Sequence, residues 1–544
     1  MSKDIVFIAD FYVEQVLGGG ELNNKELYDI LSDRGHKIKK IRSHEVDMPF
    51  LRDNKNSFFI VFNFVNLKYD CRGFMSDLRY AIYEHDHKYI KSRNPATYKD
   101  FRAPSRDIVN YHFYKNAEKV YCQSEFHKNI VHLNLGLNNI ESLGGNLWSL
   151  KSLEAMRQIS HKKKEPICSI MDSNISHKNT SASIKYCVSN GLEYSLVKND
   201  NYLSFLEDLG ANKKFVFLPK TPETLSRVIV EARMMGMQVA TNSLIGATSE
   251  DWFALKGEEL IDVMLRKRSE IVENIEALIA QPINEEKKKP IVSLLSTFCE
   301  GEKYLPHFLE NITKQTVFEK CELIIIDANS QGSEKELIEK YMEKHDNIVY
   351  RRLEDKALPT PCINMSIKMA KGKYLSLSLI DDVKSADNIE VLLKEIEDEG
   401  VCLVYGATLE TAIANETIEL NSSNGATLES SKYNFSKENM IKCLPGPMPL
   451  WKKGIHDICG FFDDDGCDFA DDWDMWLRAV QSGCSFKKVD RIVGLYLKGG
   501  RSQQENNLEQ KKEEARIFYK YSHIFGRNFK KYNPYFQQFS QEKD

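Results

Sequence analysis

Two adjacent carboxylates, Asp381 and Asp382, close an apolar run that begins at Lys373. Within that run Tyr374, Leu375, Leu377, Leu379 and Ile380 suit a central strand of an α/β sheet, which would carry both carboxylates into the loop that follows. Open α/β sheets bind ligands just past the C-terminal edge of such strands. Two hard oxygen donors there could hold a divalent metal, Mn2+ or Mg2+, and the metal in turn a diphosphate. A solvated Asp-Asp turn is the plainer reading of the same pair.

Two further stretches carry chemistry. Tyr83-Glu-His-Asp-His-Lys88 is a dense polar loop after a strand-like run, followed by Lys91-Ser-Arg-Asn-Pro95. His85 and His87 around an acid could be a general base with its orienting carboxylate, an acceptor-binding loop, a metal site without a supporting cluster, or a solvated loop. Glu223 and Glu231 stand eight apart, about two helical turns, so a helix would place them on nearly one face. Glu223 could meet sugar hydroxyls, whereas Glu231 among apolar neighbours needs a hydrogen-bonded partner to be buried.

These residues must be positioned by more than one core. The chain has 544 residues, 42% hydrophobic and 28% charged, the profile of an ordinary globular protein with several domains. Asp4–Ala9 reads as a strand running into Gly18-Gly-Gly-Glu21 and an amphipathic helix. Strand, glycine turn and helix place backbone N–H groups near a phosphate or sugar, with Gly19 and Gly20 in the turn. Strands are expected again at 37–41, 58–64, 80–83 and 120–122. A second α/β unit is expected from about Pro166, with strands at 167–171, 194–197, 215–218 and 239–241. The Pro-bounded polar run 281–290 reads as a linker. Beyond it the pattern restarts with strands at 291–296, 321–327 and 347–351, and the Asp381-Asp382 strand. Later come a helix from Trp473 to Gln481 and an edge-type strand at 486–497.

A net charge of −5 lacks the basic excess of a nucleic-acid binder. No stretch is apolar enough to insert in a membrane. Twelve cysteines without a Cys-x-x-Cys pair, and no secretory leader, fit reduced thiols and a cytoplasmic setting.

Taken together, the first-turn Gly-Gly-Glu and the later Pro…Glu-x7-Glu-Ala…Gly stretch make residues 1–280 resemble a family 4 glycosyltransferase of the GT-B fold. The resemblance implies a nucleotide-sugar cleft between two Rossmann-like units, 1–160 and 161–280, with Gly19, Gly20, Glu223 and Glu231 on the donor. That family usually carries an Arg and a Lys for the diphosphate; here only Lys178 stands in place, beside Asp172.

Residues 291–502 resemble a family 2 glycosyltransferase of the GT-A fold. The resemblance rests on Thr297-Phe-Cys-Glu300, an apolar strand ending in Asp327, an Asn364-bearing helix closing on Ala370-Lys-Gly372, and the strand into Asp381-Asp382. Pro445-Gly-Pro-Met-Pro-Leu-Trp451 and Ala470-Asp-Asp-Trp473 continue the pattern. It implies that Thr297, Phe298 and Glu300 line the base, Asp327 contacts the nucleoside and Asn364 supports the donor. It further implies that Asp381 and Asp382 hold metal and ribose or diphosphate. Pro447 and Trp451 would meet the acceptor, and Lys498 and Arg501 would assist the diphosphate. Asp472 would be the general base with Asp471 in support, or the two in reverse order, for direct, inverting attack by an acceptor hydroxyl. Cys299 replaces the usual Asn, and Leu379 the usual first acid of the metal motif. Residues 503–544 are expected to form a C-terminal helical extension, helix-prone to about Tyr521.

The expectation is therefore an α/β chain of two Rossmann-like units followed by a GT-A-type domain, using a nucleotide-diphosphate sugar and a saccharide-type acceptor. Its N-terminal part would be a second transferase or a binding module. A phage-type transferase acting on a modified base in DNA is the less favoured alternative, and oligomeric state leaves no trace in the sequence.

Overall fold

The computed structural model describes residues 3–282, 289–398, 400–467, 469–499 and 508–540. Three sheets, flanked by helices, organise the chain. It divides into two compact units, Met1–Ala103 with Asn110–Asn284, and Pro104–Val109 with Glu285–Asp544. Of the expected linker, residues 283–288 lie outside the described residues.

The first unit holds two parallel sheets. Six strands run in the order Lys37–Arg42, Asp4–Ala9, Phe58–Val61, Tyr80–Tyr83, Lys119–Cys122 and Ile140–Ser142. Phe58–Val61 and Tyr80–Tyr83 are buried at every position, as continuous apolar runs must be when both faces of a parallel sheet are covered. The second sheet has four strands, Gln238–Thr241, Asn212–Phe217, Glu165–Met171 and Tyr194–Val197, also parallel. The helix expected to carry both Glu223 and Glu231 spans only Arg227–Met234. Ser226 takes a left-handed φ of 68°, which breaks the helical path and leaves Glu223 in the preceding loop, bridged to Ile245.

The second unit is built on an eight-stranded sheet. Four parallel strands lie in the order Ile348–Arg352, Cys321–Asp327, Val292–Phe298 and Tyr374–Leu377. Phe298 sits opposite Asp327, and Asp327 opposite Arg352, so their following loops share one edge. The sheet continues through Leu450–Lys452, Val401–Thr411 and Ser485–Leu497 to Val383–Lys384. Ser485–Leu497, expected at an edge, is paired on both sides; the two-residue strand Val383–Lys384 takes the edge instead.

At the C-terminus Leu508–Lys520 is followed by a second helix, Arg527–Gln537, hidden from sequence reading by its internal Pro534. Phe518 stacks on Phe525, Phe529 and Phe536, and Trp473 packs on Phe525 and Phe536. This aromatic cluster fastens the two helices to the helix Asp471–Gln481.

Candidate active site

The strand leading to Asp381-Asp382 ends at Leu377, earlier than the apolar run suggests. Ser378 N still bonds Leu295 O, and Asp382 N then turns back to Leu379 O. Both carboxylates therefore occupy a turn between two strands of the same sheet. Asp381 is half-buried and Asp382 buried. Asp382 Oδ1 receives only a 3.4 Å contact from Leu497 N, and Oδ2 is buried without a hydrogen-bond partner. Burial lifts both carboxyls above the usual range, and on Asp382 the charge of Asp381 adds to it. A carboxylate oxygen without a partner among the described residues, next to a second carboxylate, fits a hard divalent cation, which would relieve both costs. Among the described residues no group of three or more His, Cys, Asp or Glu is placed to hold a metal, so the remaining ligands would be ligand oxygens and water.

Asp471 and Asp472 are the first two residues of the helix Asp471–Gln481, here the base helix. Asp471 Oδ2 accepts from Thr360 Oγ1 at 2.8 Å. Asp472 Oδ1 accepts from Trp473 N at 2.7 Å, and its Oδ2 from Cys443 Sγ at 3.5 Å. Burial raises both carboxyls, with the Asp472 charge adding to the rise on Asp471; the Thr360 hydroxyl and the helix N–H groups pull the other way. Neither is fully enclosed. A partly exposed carboxylate pair with raised affinity for a proton is suited to accept one near neutral pH.

The remaining expected residues divide into those at the ligand edge and those turned inward. Glu300 is exposed, with a left-handed φ of 61°, its N–H fixed by Ser330 Oγ and its carboxylate paired with Lys356 at 2.7 Å. Thr297 and Phe298 end their strand and are almost wholly buried. Asp327, expected to contact the nucleoside, lies at the end of its strand. It is 1% exposed, with Oδ1 accepting from Ser330 N and Oδ2 from Tyr350 OH, so it shapes the turn at 328–330. The Asn364 amide clamps Phe462 N and O at 3.0 and 2.9 Å. Trp451, expected at an acceptor, lies fully in the core with Nε1 donating to His456 Nε2. Pro447 remains half-buried in a turn. Lys498 is paired with Glu410 at 2.9 Å, and Arg501 lies outside the described residues.

Sequence reading did not find Thr360, Cys443, Ser330 or Tyr350, which orient the expected acids. It also missed the six-residue segment Pro104–Val109. Within the second unit, Arg106 Nη1 reaches Asp463 Oδ1 at 2.6 Å and Ser105 Oγ reaches Asp464 Oδ2 at 2.7 Å. Gly460, with φ of 80°, lies so close that a Cβ would stand 2.2 Å from Arg106 O.

In the first unit the cleft-type residues are largely engaged with one another. Gly20 packs on the His85 ring and Gly19 on the Arg227 side chain. His85 bonds Asn24 Oδ1 at 2.7 Å and also Gln123; burial pushes its imidazole down to about 3, so it stays neutral. His87, expected at an acceptor, is 1% exposed and bonded to Tyr89 OH. Glu231 is buried under Arg227, Trp148 Nε1 and Tyr202 OH, at 2.9, 3.0 and 2.6 Å. Glu223 is tied to Lys178 Nζ at 2.9 Å. Among the described residues the buried Asn23 Nδ2, Asn24 Nδ2 and Asn146 Oδ1 find no hydrogen-bond partner.

Residues 293–463 match the family model described as Glycosyl transferase family 2. An uncharacterized glycosyltransferase of Methanocaldococcus jannaschii is 23% identical over 230 residues, covering 42% of this chain and 77% of that protein. Glycosyltransferase GlyG of Streptococcus pneumoniae is 27% identical over 116 residues, 21% of this chain and 38% of its own length. Among solved structures, S. aureus TarS 1-349 in complex with UDP aligns at 16% identity and a TM-score of 0.36, covering 45% of this chain and 72% of that one.

Proposed function

We propose that this glycosyltransferase moves a sugar from a nucleoside-diphosphate donor to a saccharide hydroxyl in its second unit, with inversion at the anomeric carbon. The acceptor oxygen attacks the anomeric carbon as the bond from that carbon to the diphosphate oxygen breaks. The acceptor proton passes to Asp472, and the nucleoside diphosphate leaves with the bonding pair. Thr360 holds Asp471 beside Asp472, as its support. Asp381 and Asp382 would hold a divalent metal, which when bound supplies positive charge to the diphosphate. The observation that carries this reading is Asp382 Oδ2, a buried carboxylate oxygen without a hydrogen-bond partner, inside the segment that matches the family.

For the first unit the favoured role is binding without turnover. Glu231 is spent on Arg227, and Glu223 on Lys178. DNA as acceptor has no comparable support. No helix among the described residues is long and apolar enough to cross a membrane.

The test is nucleotide-sugar hydrolysis across a donor panel with Mn2+ or Mg2+, comparing wild type, D381A/D382A, D472N and E223A. Loss of turnover in the first two variants and retention in the third supports both readings. A donor whose turnover is lost only in E223A would make the first unit a second transferase. No turnover of any donor by wild type would overturn the proposed activity.

A further inference from the structure

The base helix has no cap of its own: Ala470 occupies the N-cap position and offers no side-chain acceptor. Capping side chains usually fix that end of a helix, and here the end carries Asp471 and Asp472. The missing acceptor comes from elsewhere. Glu513, in the helix Leu508–Lys520, presents Oε1 to Ala470 N at 2.6 Å, Phe469 N at 3.0 Å and Cys467 Sγ at 2.9 Å. One carboxylate oxygen thus gathers three donors from the stretch that enters the base helix. One turn further on, the same C-terminal region holds the base helix again, through Lys520 Nζ and Tyr521 OH on Asp474 Oδ1 at 2.8 and 2.9 Å.

Resting on the transferase reading above, we infer that Glu513 is a positioning residue for the Asp471–Asp472 pair, supplied by a C-terminal helix outside the segment that matches the family. Its acceptor oxygen sets the angle at which the first turn leaves residue 470, and so where both carboxylates stand. Its charge acts as well. The groups around the pair are Thr360 from the helix Pro359–Met369, Cys443 from the loop before Pro445, Asp474 on the base helix, and Glu513 with Glu514 from the C-terminal helix. Glu513 contributes to the raised proton affinity of both Asp471 and Asp472. Acceptor and charge can be separated: Gln keeps an oxygen for the three donors and removes the charge, while Ala removes both.

The experiment compares full-length wild type, E513A and E513Q, using the nucleotide sugar that wild type hydrolyses fastest. The inference expects E513A to lose about 10- to 100-fold in kcat with donor KM nearly unchanged, since a displacement of about 1 Å can cost about 100-fold. It expects E513Q to recover most of that kcat, with the acidic limb of its pH profile moved to lower pH. Thermal unfolding of each variant serves as the folding control. Unchanged kcat in E513A overturns the inference. So does E513Q as impaired as E513A, an unmoved acidic limb in E513Q, or a loss in E513A matched by lost folding and weakened donor binding alike. If wild type turns over no donor, the transferase reading falls first and this inference with it.

Discussion

Thr360 Oγ1 and Asp471 Oδ2 meet at 2.8 Å, joining the first turn of the helix Pro359–Met369 to the first turn of the base helix. Two elements 111 residues apart in sequence thereby share one hydrogen bond at the proposed reaction centre. The bond distinguishes two otherwise equivalent acids. Asp471 is held by a hydroxyl that donates to it, whereas Asp472 faces a weak thiol donor and its own helix N–H.

That asymmetry sets a mutational order. Asp472→Asn should lower kcat by about 10²–10⁴-fold, the usual worth of a general base. Thr360→Val should lower it by about tenfold, through loss of one hydrogen bond to a charged group. Steady-state rates at saturating donor measure both, and equal losses would reverse the assignment of base and support.

The raised carboxyl pair also predicts a pH profile. A base whose proton affinity is raised by burial is protonated, and idle, at a higher pH than an ordinary carboxylate. The acidic limb of kcat should therefore lie above the usual carboxylate range near about 4. A limb at or below that value would remove Asp471 and Asp472 from the proton transfer.

Metal dependence should track the orphaned oxygen of Asp382. Asp382→Ala should raise the Mn2+ concentration needed for half-maximal turnover by more than tenfold, and Asp381→Ala by less, because Asp381 is partly solvated already. Metal titrations of each variant decide it; identical metal curves for wild type and Asp382→Ala would place the cation elsewhere.

Stability should hinge on Asp474. This carboxylate is 2% exposed, paired with Arg478 Nε at 2.7 Å and bonded to Lys520 and Tyr521. Burial works to raise it, but Arg478 and then Lys520 outweigh that and bring it down to about 2. A depressed carboxylate contributes stability above its unfolded value near about 4, and the contribution is lost as pH falls toward 2. Asp474→Ala should cost about 3–5 kcal/mol in urea unfolding at pH 7, because it strands the buried Arg478 charge. Its stability should then fall less between pH 4 and 2 than that of wild type.

Much of the architecture was legible because it is written in local pattern. Buried parallel strands are continuous apolar runs, and Cys321–Asp327 and Val292–Phe298 show this plainly. Acids at strand and helix ends could be placed for the same reason. What the sequence could not show was where the other end of each hydrogen bond lies. Asp327 and Asn364 bond Tyr350 and the Phe462 backbone, partners no local pattern announces. Glu231 finds its partner in Arg227, four residues earlier. Trp451 and His87 carry polar ring nitrogens that read equally well as surface or as core, and packing chose the core.

The segment Pro104–Val109 makes the two units inseparable by a single cut. A fragment beginning after the expected linker would retain every acid of the proposed reaction centre and still lack Ser105 and Arg106. Asp463 and Asp464 would lose their cross-chain donors, and the loop that Asn364 grips would be held from one side only. The second unit is thus completed by residues translated some 180 positions before it. It can be complete only in a chain that carries the first unit too.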